Sequence, residues 1–184
     1  MTKADSQILK LLVDRELQRI ELDYSISLTK VSSRIDKQLN IMGDTLQLHP
    51  GKTYEVPRYV YELMASEDLL ESSADGLDKK TISQAQWLES SYDGLSLLSP
   101  FFYQMAKSCL RKLKQKNTKD YTETEGRLIA LLDSRLNKIV KFATSRKQTG
   151  FGRQRMQAEE ILLHDFLRTI VETWREGVLN LEHR

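Results

Sequence analysis

The sequence predicts a mainly α-helical protein, a helical bundle module preceded by a small β-rich module with short helices. Three observations predict this. Alternation of apolar and polar residues is confined to the early part of the chain, as in "IELDYSISL" and "TLQLHPGKTYEV". A short stretch rich in small and turn-forming residues, "SSADG" at Ser72–Gly76, follows it. Beyond that stretch, apolar residues recur at helical spacing through every long segment. The expected modules are therefore 1–76, β-rich with an N-terminal helix, and 77–184, the bundle.

The first segment reads as a helix, with Asp5 as N-cap and Ile8, Leu11, Leu12 and Leu17 at helical spacing. Ile20, Leu22, Tyr24, Ile26 and Leu28 then alternate with Glu21, Asp23, Ser25 and Ser27, which predicts a strand with one face in a core. Leu46 and Leu48 predict a second strand, Pro50-Gly51 a turn, and Tyr54 and Val56 a third strand. Pro57 holds Val56 in an extended state and suits the first position of a helix, whose buried stripe is Val60, Leu63 and Met64.

The bundle begins with "TISQAQWLESSYDG", where Ile82, Gln86 and Tyr92 fall near one face with Trp87 and Leu88 beside them. In "SPFFYQMAKSCLRKLKQK", Ser99 reads as the N-cap and Pro100 as the first helical residue. Its stripe is Phe102, Met105, Ala106, Cys109, Leu110 and Leu113, and Lys112, Lys114 and Lys116 suit the negative end of the helix dipole. Thr122 and Glu125 have the spacing of a capping box. The helix that follows carries Leu128, Leu132, Ile139 and Ala143, widened by Ile129, Leu136, Val140 and Phe142. The last helix, from about Arg155 to Leu181, places Leu163, Phe166, Ile170, Trp174, Val178 and Leu181 on one face, widened by Leu162 and Val171. Stripes this wide suit helices packed on two sides.

Composition narrows the function. The 184 residues are 40% hydrophobic, which supports a packed core, and 29% charged, with a formal net charge of +2. That balance excludes a surface that is basic all over, but not a local basic patch. Cys109 is the single cysteine, so no internal disulfide or cysteine-based zinc site is expected, and the chain reads as reduced and cytoplasmic. "MTKADSQILKLLVDREL" is broken by charges, so neither a secretory leader nor a membrane span is expected.

Catalytic constellations are not found. His49, His164 and His183 stand apart from one another, and no metal site or cofactor is expected. His49 reads as a surface residue and His164 as a satisfied, half-buried one. Gly150-Phe151-Gly152 lacks the following Gly-Lys-Ser/Thr of a phosphate loop. Cys109 lies on a buried stripe and reads as a small core hydrophobe. The pairs Glu159-Glu160 and Glu67-Asp68 are explained by a helix start and by solvent, respectively. The expectation is that the protein is not an enzyme.

One stretch is electrostatically distinct. "TSRKQTGFGRQR" holds Arg146, Lys147, Arg153 and Arg155 around Phe151, with no acidic residue. Arg127, Arg135, Lys138 and Lys141 add positive charge to the preceding helix. The stretch reads either as a solvated loop between helices or, over 145–156, as a weak nucleic-acid contact. In the second case basic residues neutralise phosphates and the aromatic stacks a base.

Three bundle segments, "LLSPFFYQMAKSCLRKL", "EGRLIALLDSRLNKIVKFA" and "MQAEEILLHDFLRTIVETWREGVL", resemble the helices of GINS subunits, small proteins of the replicative helicase complex. "GKTYEVPRYVYELM" is similar to the end of their β-rich module. The order, β-rich module first, resembles one of the two archaeal subunit types. The resemblance implies a non-catalytic replisome subunit assembled with other GINS subunits in a hetero- or homo-tetramer. It also implies support of the MCM helicase, a RecJ-related partner, and a cytoplasmic, nucleoid-associated location. Phe102, Tyr103 and Trp174 are the aromatic candidates for interface anchors, and packing into the chain's own core is the leading alternative for each. The alternative is a free-standing, weak nucleic-acid-binding protein that uses the basic loop.

Overall fold

The computed structural model describes residues 3–41, 43–65, 67–72, 77–145 and 150–180. The chain forms two compact units, 1–76 and 77–184. Most of Ser72–Gly76, expected as a linker, lies outside the described residues.

The first unit contains α1 (Lys3–Ile26), β1 (Leu28–Ser33), β2 (Lys37–Ile41), β3 (Asp44–Leu48), β4 (Thr53–Pro57), α2 (Arg58–Ala65) and β5 (Leu70–Ser72). The antiparallel sheet β4-β1-β5 pairs Val31 with Tyr54 on one side and with Ser72 on the other. β2 and β3 pair separately, Leu39 opposite Leu46. Val31, Leu48, Val56, Val60, Met64 and Leu70 form the core between α2 and the strands. Leu63, expected in the stripe of α2, is exposed. Pro57 ends β4 rather than beginning α2, and the Arg58 amide donates to the Ser27 carbonyl at 2.9 Å.

The expected strand from Ile20 to Leu28 is helix as far as Ile26. Any period-two run also contains i, i+4 pairs, and here Ile20 and Tyr24 are such a pair, both buried. Leu22, Ile26 and Leu28 are exposed. The strong helix formers of "RELQRIEL" just upstream tip the balance. The serines that suggested a strand satisfy themselves along the helix: Ser25 Oγ donates to the Glu21 carbonyl at 2.8 Å and Ser27 Oγ to the Tyr24 carbonyl at 2.6 Å. β2 went unforeseen although Leu39 and Ile41 alternate as Leu46 and Leu48 do in β3, while β5, three residues long, carries too little alternation to be foreseen.

The second unit is helical: α3 (Lys79–Ser91), α4 (Phe102–Lys116), α5 (Thr118–Thr144), the single turn α6 (Gly150–Arg153) and α7 (Ala158–Asn180). α5 is central and packs against α3, α4 and α7. Lys79 pairs with Asp120 and Glu89 with Arg135, so α3 and α5 run parallel. Glu160 meets Arg135, and Arg175 Nη2 donates to the Thr144 carbonyl at 2.7 Å, so α7 also runs parallel to α5. One core joins Ile82, Ala85, Leu98, Phe102, Ala106, Cys109, Leu128 and Leu131. A second joins Leu95, Ile139 and Met156, with Phe142, Ile161 and Leu167 packed against it.

The helix starts differ from expectation. Phe101, not Ser99, is the N-cap of α4; it takes the left-handed conformation at φ 57° and makes no side-chain cap bond. Asn117 is the N-cap of α5 and also the C-cap of α4. Asn117 Oδ1 accepts from the Lys119 amide at 3.0 Å and the Asp120 amide at 3.4 Å. A reversal held within one residue leaves no place for a capping box at Thr122, whose Oγ1 instead donates to the Thr118 carbonyl at 3.0 Å. On α3 the buried residues are Ile82, Ala85 and Glu89, while Trp87, Leu88 and Tyr92 are exposed.

Candidate subunit interface

The polar centre of the bundle is Arg135, which is 1% exposed. It sits on α5 in phase with Leu128, Leu131 and Ile139, where an apolar residue would ordinarily lie. Its five N–H donors all find acceptors. Nε donates to Glu160 Oε1 at 2.6 Å, and Nη2 to Glu160 Oε2 at 2.7 Å and to the Arg155 carbonyl at 3.0 Å. Nη1 donates to Glu89 Oε2 at 2.7 Å and to the Ser96 carbonyl at 2.9 Å.

Lys138, one turn on, is equally saturated. Its ammonium donates to Glu89 Oε1 at 2.7 Å, to the Glu89 carbonyl at 2.5 Å and to the Tyr92 carbonyl at 2.6 Å. Ser96 donates to Glu89 Oε2 through its amide at 3.0 Å and its hydroxyl at 2.6 Å. The Gln157 amide donates to Glu160 Oε2 at 2.8 Å, and the Tyr103 hydroxyl donates to Glu160 Oε1. Two cations face two carboxylates, so the cluster is neutral.

These contacts set the protonation states. Burial raises Glu89, but the hydrogen bonds from Lys138 and Ser96 and the charge of Arg135 outweigh it, and the carboxyl lies below its ordinary value. Burial works against the charge of Arg135, yet Glu160 holds the guanidinium above its ordinary value. Burial and the charge of Glu160 push Tyr103 up, so the phenol keeps its proton. Every N–H donor of Arg135 and of the Lys138 ammonium is engaged within the chain. The cluster joins α3, the Tyr92–Phe101 strap, α5 and α7. Burial also raises the Cys109 thiol, and His164 is buried with Nδ1 2.9 Å from Asp165 Oδ1. Among the described residues, no group of three or more His, Cys, Asp or Glu converges as metal ligands would. No described helix is long and apolar enough to cross a membrane.

Around this centre the bundle leaves much apolar surface open. On α7, Leu163, Ile170, Trp174 and Val178 are exposed, with Trp174 at 65%. On α5, Ile129, Leu132, Leu136 and Val140 form a second exposed stripe beside the buried one. Because Arg175 already reaches Thr144, the last residue of α5, the end of α7 has no α5 to lie against.

The expected interface aromatics have three different fates. Phe102 is 1% exposed and serves the core of its own chain. Tyr103 is half-buried, stands edge-on to Phe102 and is held by Glu160. Trp174 alone of the three stands in solvent.

The basic stretch is also redistributed. Arg146 and Lys147 lie outside the described residues, as does the side chain of Phe151. Arg153 forms a two-point pair with Asp165, Nη2 to Oδ2 at 2.9 Å. Arg155 Nη1 donates to the Leu95 carbonyl at 3.1 Å, and its guanidinium lies 5.3 Å from the centre of the Tyr92 ring. Of the charges assigned to the preceding helix, Arg135 and Lys138 are consumed by the cluster and Arg127 pairs with Glu123.

The cluster escaped the sequence reading, though a signal exists. Arg135 stands in phase with the apolar stripe of α5, and Glu89 with Ile82 and Ala85 on α3. Charged residues of opposite sign in core phase on successive helices are candidates for buried pairing.

Residues 56–178 match the model of the Sld5 family, the GINS complex protein helical bundle domain. The chain belongs to the GINS family. The match covers more than half of the sequence, from Val56 in β4 to Val178 in α7, and includes Arg135 and its partners. No curated protein matches the chain. The exposed stripes of α5 and α7 are thus features of a GINS helical domain, a component of a multi-subunit replication complex.

Proposed function

We propose that this GINS chain is a non-catalytic structural subunit that assembles with sister GINS subunits, as a hetero- or homo-tetramer, through the outer faces of α5 and α7. The single observation that carries this is the pair of exposed apolar stripes, Ile129–Leu132–Leu136–Val140 and Leu163–Ile170–Trp174–Val178. A monomer rarely leaves such surface in water, and permanent interfaces resemble a core cut in half. The saturated cluster at Arg135 supports a scaffold, since it fixes helices and its cationic donors are engaged within the chain. On this reading the assembly supports the MCM helicase at the fork, engages a RecJ-related protein, and works in the cytoplasm at the nucleoid.

Co-expression with a sister GINS subunit, followed by mass determination in solution, tests the assembly. A stable complex is expected, and MCM and the RecJ-related protein should be retained by it in a pull-down. A compact monomer at micromolar concentration that ignores the sister subunit would overturn the reading. The alternative based on 145–156 is not favoured, because Arg153 and Arg155 are already engaged within the chain.

A further inference from the structure

Among the described helices, α4 is strongly one-sided in charge. Between Phe102 and Lys116 it holds Lys107, Arg111, Lys112, Lys114 and Lys116 and no acidic residue. All of these are exposed, and none has a carboxylate within ion-pair distance among the described residues. The nearby acids are engaged by other groups: Asp120 pairs with Lys79, Glu123 with Arg127, Glu125 accepts from the Tyr121 hydroxyl, Glu159 accepts from Gln104 on α4 itself, and Asp78 accepts from the Thr81 amide. Lys114 is held only loosely, 5.8 Å above the Tyr121 ring.

The helix dipole does not explain this. Its effect fades within the last turn, which holds Lys114 and Lys116. Lys107 and Arg111 lie further back. Lys107, Arg111 and Lys114 have i, i+4, i+7 spacing, a row on the face opposite Phe102, Met105, Ala106 and Cys109. At about 1.5 Å per residue the row extends about 10 Å.

We propose that this row is a contact site for the phosphodiester backbone of double-stranded DNA, separate from the α5 and α7 assembly faces. The chemistry of the face selects that partner. Between the cations lie Ser108 and Gln115, Leu110 and Leu113 pack toward the core, and the Tyr121 ring beside the row already faces Lys114 with its hydroxyl tied to Glu125. A protein partner would need an apolar anchor at the centre, and a single strand would need a stacking ring. Cations among small polar groups suit repeated phosphates read without regard to sequence.

Fluorescence anisotropy of the full chain with a labelled duplex of mixed sequence tests this, with polyglutamate as competitor. Three phosphate contacts give a log–log salt slope of about −2.7, or an affinity loss of about 40-fold between 50 and 200 mM salt, taking roughly 0.9 per contact. Changing Lys107, Arg111 and Lys114 together to Gln should remove that slope, and Lys107→Gln alone should lower it by about 0.9. Arg127→Gln, which touches only the pair with Glu123, should leave it unchanged. The exposed positions keep the fold intact, to be checked by circular dichroism. The proposal is overturned if the duplex does not bind at low salt, if the triple variant binds as the parent does, or if polyglutamate binds more tightly than DNA.

Discussion

Arg135 and Glu160 form a buried two-point ion pair, with Nε 2.6 Å from Oε1 and Nη2 2.7 Å from Oε2. The partners stand 25 residues apart, on α5 and at the start of α7. Two charges removed from water gain little over a well-packed apolar pair, but either one left alone is costly. The pair therefore acts as a registration point: it admits one placement of α7 along α5.

Arg135→Ala and Glu160→Ala should each destabilise the protein by about 3–5 kcal/mol, because each strands a buried charge. The double change should cost less than the sum, since the stranded partner is removed too. Urea titration followed by far-UV circular dichroism measures this. Losses under about 0.5 kcal/mol, or strict additivity, would contradict the registration role.

The pH dependence follows from Glu89. Its carboxyl is held below the ordinary value because the bonds from Lys138 and Ser96 outweigh burial. A carboxylate depressed in the folded state contributes stability that is complete above its unfolded value and is lost as pH falls through the folded value. For Glu89 that loss sets in below pH 4.5, its ordinary value. Glu89→Gln should lower stability at neutral pH and flatten the acid limb of the stability profile. Parallel profiles for the variant and the parent would show that Glu89 does not carry the effect.

Phe102 and Trp174 should separate folding from assembly. Phe102→Ala empties a fully buried site and should cost about 3–5 kcal/mol. Trp174→Ala removes a ring that is 65% exposed and should change the monomer's stability by no more than about 0.5 kcal/mol. The same Trp174 change should weaken binding to a sister subunit by about 2 kcal/mol or more, as expected of a central aromatic anchor. Isothermal titration with the sister subunit decides it; unchanged affinity would place the contact off α7.

In the first unit, Gly51 sits in the turn before β4 at φ 76°, and its amide donates to the Ser33 carbonyl at 2.8 Å. A Cβ there would meet nothing within 4 Å, so the penalty for Gly51→Ala is conformational alone. It should cost about 1–2 kcal/mol, and Gly51→Asn less, because Asn tolerates the left-handed region. Loss of amide-exchange protection in β1 and β4 reports it; an unaffected Ala variant would mean that the turn relaxes.

Local features of the sequence determined the bundle. The stripe Phe102–Met105–Ala106–Cys109 and the buried residues Leu128, Ile139 and Ala143 follow from helical periodicity, which is a property of one segment at a time. The strands at Leu46–Leu48 and Tyr54–Val56, and the abrupt change at Pro57, were legible for the same reason. The run from Ile20 was not, because alternation also supplies i, i+4 pairs and only the packing of Ile20 and Tyr24 selects between the two readings. Core phase marks Glu89 and Arg135 as charges that need a partner, but only the tertiary structure pairs them. Glu89 and Arg135 lie 46 residues apart, and nothing local to either shows that it meets the other. It likewise decided that Phe102 is core and Trp174 surface, though both stand on apolar stripes. A stripe wide enough for two neighbours does not say which of its residues the chain's own helices will cover.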